Sequence, residues 1–248
     1  EIGRANQDPG EIGNAYNNLG IIEKTRGNYK KAIEYQLKGA ETFKKAGNKK
    51  REAYCYGNIG VVFQRLGDHE KALKNFEICL AIDEKEGNTR GIGISLNNMA
   101  NVYHFMGNYE KALKLWYKTL EIDQSSGNKV GESSTNRNIG LAYHDLGDQE
   151  KAMEFYVKSL AQKRELNQPR SIAKSLNNIG ILLRESGDHE KALAYQLEAL
   201  ELRKKIGAKR GMAESNVNIA AIYLDLKKTE KAWSYLKRGL ELRMEMGN

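Results

Sequence analysis

Apolar residues recur along this chain at the three- and four-residue spacing of amphipathic helices, and the pattern repeats every 40 residues. In the second copy Tyr56, Ile59, Gly60 and Phe63 line one helix face, and Ala72, Phe76 and Leu80 line the next. Gly27, Gly67, Gly107, Gly147 and Gly187 punctuate the two, each followed by Asn or Asp, and Lys227 holds the sixth place. Gly-Asp-x-Glu-Lys-Ala reads as a turn, an N-cap whose oxygen takes an orphan amide, and a first-turn Glu facing the helix dipole. In the sixth copy Lys228 has no capping oxygen, and Thr229 is expected to substitute. A second mark falls at Gly47, Gly87, Gly127, Gly207 and Gly247, with Asn167 the exception. Gly first and Asn second is the preference of a left-handed helix end. Pro9 and Pro169 stand just past such a cap, where proline opens a helix.

The pattern predicts an all-α chain of six two-helix units, at residues 9–48, 49–88, 89–128, 129–168, 169–208 and 209–248, with residues 1–8 as the end of a preceding helix. Small residues recur at Ala15, Cys55, Ser95, Thr135, Ser175 and Ser215, and at Gly39, Cys79, Thr119, Ser159, Ala199 and Gly239, where helices must approach closely. Both cysteines therefore read as packing positions rather than ligands or nucleophiles. Glu23 breaks the pattern, standing where Phe63, Tyr103, Tyr143, Leu183 and Tyr223 stand elsewhere; it is read either as a polar N-terminal cap or as the partner of a nearby Lys.

The order large-x-x-aliphatic-Gly/Ala-x-x-aromatic followed by Ala-x-x-x-aromatic, as in Leu96, Met99, Ala100, Tyr103, Ala112 and Trp116, resembles the tetratricopeptide repeat and covers all six units. Two departures are the unit length, about 34 residues being commonest in that family, and the missing proline late in the second helix. The 40-residue form is similar to repeats of kinesin light chains, cell-polarity adaptors and bacterial signalling proteins, and the unit ends look most like the bacterial group. The resemblance implies an α-solenoid wound as a right-handed superhelix, with the first helices lining a concave peptide-binding face.

On that face one residue does not vary: Asn18, Asn58, Asn98, Asn138, Asn178 and Asn218. An asparagine offers two donors and an acceptor, so such a column can clamp successive peptide groups of an extended ligand, as the family precedent implies. It can equally bond a neighbouring helix, and the sequence leaves both roles open. Specificity would come from the variable positions: Arg65, Asn97, Asn101, His104, Arg137, His144, Lys174, Asn177 and Arg184, with Asn17, Lys24, Tyr54 and Phe105 beside them. The middle and fifth units are basic and amide-rich while the sixth turns acidic at Glu214 and Asp225, which suits a carboxylate-bearing ligand over units three to five.

Composition narrows the rest. The 248 residues carry a net charge of +8, but acids and bases alternate, as in Glu70-Lys71, which argues against a nucleic-acid stripe. No apolar run could span a membrane, and two cysteines without a glycosylation acceptor favour a reducing cytoplasm. His69 and His189 read as surface helix-start residues, and His104 and His144 stand too far apart to share a metal. No phosphate-binding loop, HExxH or GxSxG occurs, so neither enzyme chemistry nor a cofactor is expected. The chain thus reads as a protein-interaction scaffold, the sensor or adaptor part of a longer signalling array. Met244 and Met246, apolar late in the last helix, open the alternative of self-association.

Overall fold

The structure, a computed structural model, describes residues 8–247. Twelve helices follow in order: α1 Pro9–Thr25, α2 Tyr29–Lys45, α3 Lys49–Arg65, α4 His69–Lys85, α5 Thr89–Phe105, α6 Tyr109–Ser125, α7 Lys129–Asp145, α8 Gln149–Glu165, α9 Pro169–Glu185, α10 His189–Lys205, α11 Lys209–Asp225 and α12 Thr229–Glu245. Each has 17 residues, and three-residue turns between them complete the period of 40. No strand occurs among the described residues. The segment expected to end a preceding helix lies outside them, except Asp8, whose carboxylate caps α1 by accepting from Gly10 N–H at 2.9 Å.

The turns are built as the punctuation predicts. Gly27 takes φ +81°, and the Asn28 N–H reaches back to the Glu23 carbonyl at 2.9 Å, closing the six-residue loop of a Schellman cap. Asn167 and Lys227 are the two non-glycine residues with positive φ among those described. Asp68, Asn108, Asp148 and Asp188 each accept from the amide three residues on, at 3.1–3.2 Å. Two N-cap residues, Asn28 among the expected caps and Asn88 at the other kind of turn, are diverted. Asn28 donates instead to Glu23 Oε2 at 2.7 Å, and Asn88 to Asp83 Oδ1 at 2.7 Å. Lys228 occupies the N-cap of α12 without a side-chain bond, and Thr229, expected to replace it, is the first helical residue.

The chain divides into two compact units between Ser126 and Gly127, each of three helix pairs. In the first, Ala72, Phe76, Met99 and Val102 form a core against which Phe63 and Leu80 pack, while Ile59 is also buried. A Cβ on Gly60 would lie 2.6 Å from the Phe76 ring, so the small residue lets α3 and α4 close on that aromatic. In the second, Tyr156, Leu160, Leu176, Ile179 and Leu182 share a core, and Leu200, Ile219, Ala220 and Ala232 another. Cys55 and Cys79 are buried free thiols, and burial pushes them up to about 12 and about 11. A thiol held protonated is neither nucleophile nor ready ligand. Glu23 is buried and pairs with Arg26 at 3.3 Å as well as Asn28, so an arginine rather than a lysine answers its charge.

Candidate functional site

The asparagine column sits on the first helix of every pair, at the border between core and solvent. Asn18 is exposed, Asn58, Asn98, Asn178 and Asn218 are half-buried, and Asn138 is buried. Within each unit, members of the column bond sideways to the preceding first helix. Asn58 Nδ2 donates to Asn17 Oδ1 at 3.1 Å, and Asn218 Nδ2 donates to Asn177 Oδ1 at 2.8 Å. The Oδ1 of Asn58 accepts from Lys24 at 3.4 Å, and that of Asn138 from Arg137 at 2.8 Å. A primary amide has two N–H groups and two carbonyl lone pairs, so a lateral bond fixes the rotamer and leaves capacity for a second partner.

The neighbouring amides are tied from behind. Gln36 and Gln196 donate to the backbone carbonyls of Asn17 and Asn177 at 3.0 Å, and Trp116 Nε1 donates to the side-chain Oδ1 of Asn97 at 3.1 Å. Asn101 is half-buried.

The variable basic positions differ in what they touch. Arg184 grips Asp225 at 2.5 and 3.4 Å, which holds that carboxyl below its ordinary range, and His144 Nε2 meets Glu185 at 2.5 Å. Both bonds join successive first helices, so these two side chains are engaged between repeats. Arg65 and Lys174 are exposed and form no ion pair among the described residues. Arg137 is half-buried and donates to Asn138 Oδ1 at 2.8 Å, and burial pushes its guanidinium down. His104 is packed among Phe105, Tyr109 and Trp116.

One set of functional candidates was not found from sequence. At the place of the buried Phe43, successive second helices carry Asp83, Asp123, Lys163 and Arg203, all buried. Arg203 meets Glu214 at 3.1 Å and Ser215 Oγ at 2.7 Å. Lys163 meets no carboxylate among the described residues. Its ammonium is 2 % exposed and donates to Ser159 Oγ at 2.8 Å and Ser175 Oγ at 3.1 Å. Burial, then the nearby Arg137 and Lys174, push it down to about 7. The column changes from ring to acid to base, so no repeated residue type announces it; its register, four residues beyond the small-residue column of Gly39 and Cys79, was the available signal.

Among the described residues no group of His, Cys, Asp and Glu could hold a metal, and no helix is long and apolar enough to cross a membrane. What the first-helix faces offer is repeated amide chemistry with changing charges between.

A family model described as tetratricopeptide repeat matches residues 11–85, 91–165 and 171–245. No curated protein matches the sequence. Among solved structures, BtubC (BKLC) from P. vanneervenii is similar over 91% of this chain and 92% of its own, with TM-score 0.76 and 17% identity. A signal transduction ATPase with numerous domains (STAND) from Pyrococcus horikoshii, carrying a tetratricopeptide repeat sensor, matches 96% of this chain with TM-score 0.77 and 20% identity; the match spans 37% of that protein. A Rap protein complexed with Competence and Sporulation Factor matches 98% of this chain and 78% of its own, with TM-score 0.74 and 14% identity.

Proposed function

The chain belongs to the tetratricopeptide repeat family, and from that premise we propose that it is a protein-interaction scaffold whose first-helix faces hold an extended peptide or partner helix. The observation that carries this reading is the asparagine column, side chains pre-set by bonds such as Asn58–Asn17 and Asn218–Asn177 yet retaining donors and acceptors at the surface. Ordering an amide before the ligand arrives lowers the entropy lost on binding. The sensor of the STAND protein and the factor-bound Rap protein are structural parallels for a signalling role.

In the second unit the ligand's chemistry is constrained further. Lys163, Arg137 and Lys174 form a positive cluster to which no carboxylate is paired among the described residues, so a carboxylate of the ligand is the complementary group there. The role assigned is binding rather than catalysis, in the cytoplasm, as the sensor or adaptor part of a signalling protein.

A displayed library of extended peptides tests the reading. It should yield ligands whose affinity falls about tenfold or more in the Asn98→Ala plus Asn138→Ala double variant. Failure to select any ligand, or ligands indifferent to both changes in a variant that still folds, would refute it.

Self-association is the second reading, and α12 favours it. Trp233, Leu240 and Met244 fall on one stripe, with Trp233 69% and Met244 68% exposed. In the equivalent register Leu120, Leu160 and Leu200 are buried. Met246 is half-buried. Light scattering across a concentration series decides: a mass that stays monomeric removes this reading for the chain.

A further inference from the structure

The position of Asn17, Asn97, Arg137 and Asn177 is held in the second repeat by Gly57. Where the other repeats carry a side chain, α3 carries none, and a cleft of about 390 Å³ opens there, bounded by α3, α4 and α5. Gly91 widens it on the α5 side, since a Cβ there would lie 2.3 Å from the Asp83 carboxyl. Its walls are Tyr54, Val61 and Ile94, and the amides of Asn58 and Asn98 border it.

Asp83 lines this cleft from α4 and is only 3% exposed. Oδ1 accepts from Asn88 Nδ2 at 2.7 Å; Oδ2 has the Cys79 thiol at 3.5 Å, a weak donor. No lysine or arginine pairs with it among the described residues. A carboxylate taken out of water with one amide and one thiol donor and no cation is costly, and here it borders a space that a donor could enter.

Lys50 and Arg90 also line the cleft, both exposed and neither in an ion pair among the described residues. The site is therefore polarised, with the acid buried and bases exposed. It suits a group with a cationic tip, an apolar stem to lie along Tyr54, Val61 and Ile94, and a neutral or anionic outer end to meet Lys50 and Arg90. A volume near the low end of ligand sites accommodates one such side chain and its flanking peptide groups.

We propose that this cleft of the second and third repeats takes a lysine or arginine side chain of the bound peptide, with Asp83 as its counter-ion. The proposal rests on the peptide-scaffold reading and adds the side chain selected at one position.

The test uses the full 248-residue chain, labelled with ¹⁵N, and three probes: N-acetyl-lysine amide, N-acetyl-arginine amide and, as neutral control, N-acetyl-norleucine amide. Saturable shifts of the Gly57, Gly91 and Asn98 amides are expected with a cationic probe and not with norleucine. Affinity should fall about tenfold or more in Asp83→Asn. Gly57→Asn is the second variant. A Cβ at Gly57 meets nothing nearer than Cys79 Sγ at 3.6 Å, and asparagine already occupies this register in three repeats. It should melt like the parent and lose the shifts because the cleft is filled. Equal response to norleucine, binding indifferent to both variants, or no binding of either cationic probe overturns the proposal. Library peptides that bind without a lysine or arginine would sink it while leaving the scaffold reading intact.

Discussion

Lys163 shows how one residue sets a pH dependence. Its ammonium has an ordinary pKa of 10.5 in the unfolded chain and about 7 in the fold. Between those values the unfolded state binds a proton that the folded state does not. Stability therefore rises with pH from about 7 to about 10.5, because ionisation opposes folding most at the lower end. Lys163→Met keeps the length of the side chain and removes the buried charge, so the variant should be more stable by about 1–3 kcal/mol at pH 7. The gain should shrink as pH approaches 10, a convergence that urea melts at several pH values would reveal. The Asn177–Asn218 bond is the complementary case, two neutral amides of which Asn177 is buried and Asn218 half-buried. A double-mutant cycle to alanine should give a coupling of about 0.5–1.5 kcal/mol; a coupling near zero would mean that the lateral bond does not hold the column.

At the scale of elements, the turn is the unit of design. Ten glycines take positive φ at the helix ends, and Lys227 takes φ +56° in the same place. A Cβ in that region is strained, so Lys227→Gly should stabilise the second unit by about 0.5–1 kcal/mol, the unfolded-state entropy of glycine offsetting part of the relief. A shift in the urea midpoint at unchanged slope is the measurement. These turns, and the helices between them, were legible because each depends on a residue type that recurs at one register. The exceptions were not. Asn28 and Asn88 sit where caps belong, but Glu23 and Asp83, which draw their amides away, are five residues upstream on another helix. The same limit hid the cleft. Gly57 belongs to none of the recurring small-residue positions, and only the fold places its missing side chain beside the buried Asp83.

For the molecule as a whole, the two three-pair units each bury a stack of repeated helices. Within the second unit α12 is the helix with the least cover, Trp233, Leu240 and Met244 standing out from it. Its amides should exchange fastest among the helices of that unit in native-state hydrogen exchange. Protection of α12 equal to that of α9 would instead indicate that its apolar stripe is covered in solution, as self-association requires. The central claim is that ligands are held by the first helices. Mapping a library-selected peptide onto the ¹⁵N spectrum tests it most directly. The largest shifts should fall on first helices, at and beside the asparagines of the column within the unit that takes the peptide; shifts confined to the exposed faces of second helices such as α4 and α8, with the asparagine amides unmoved, would contradict it.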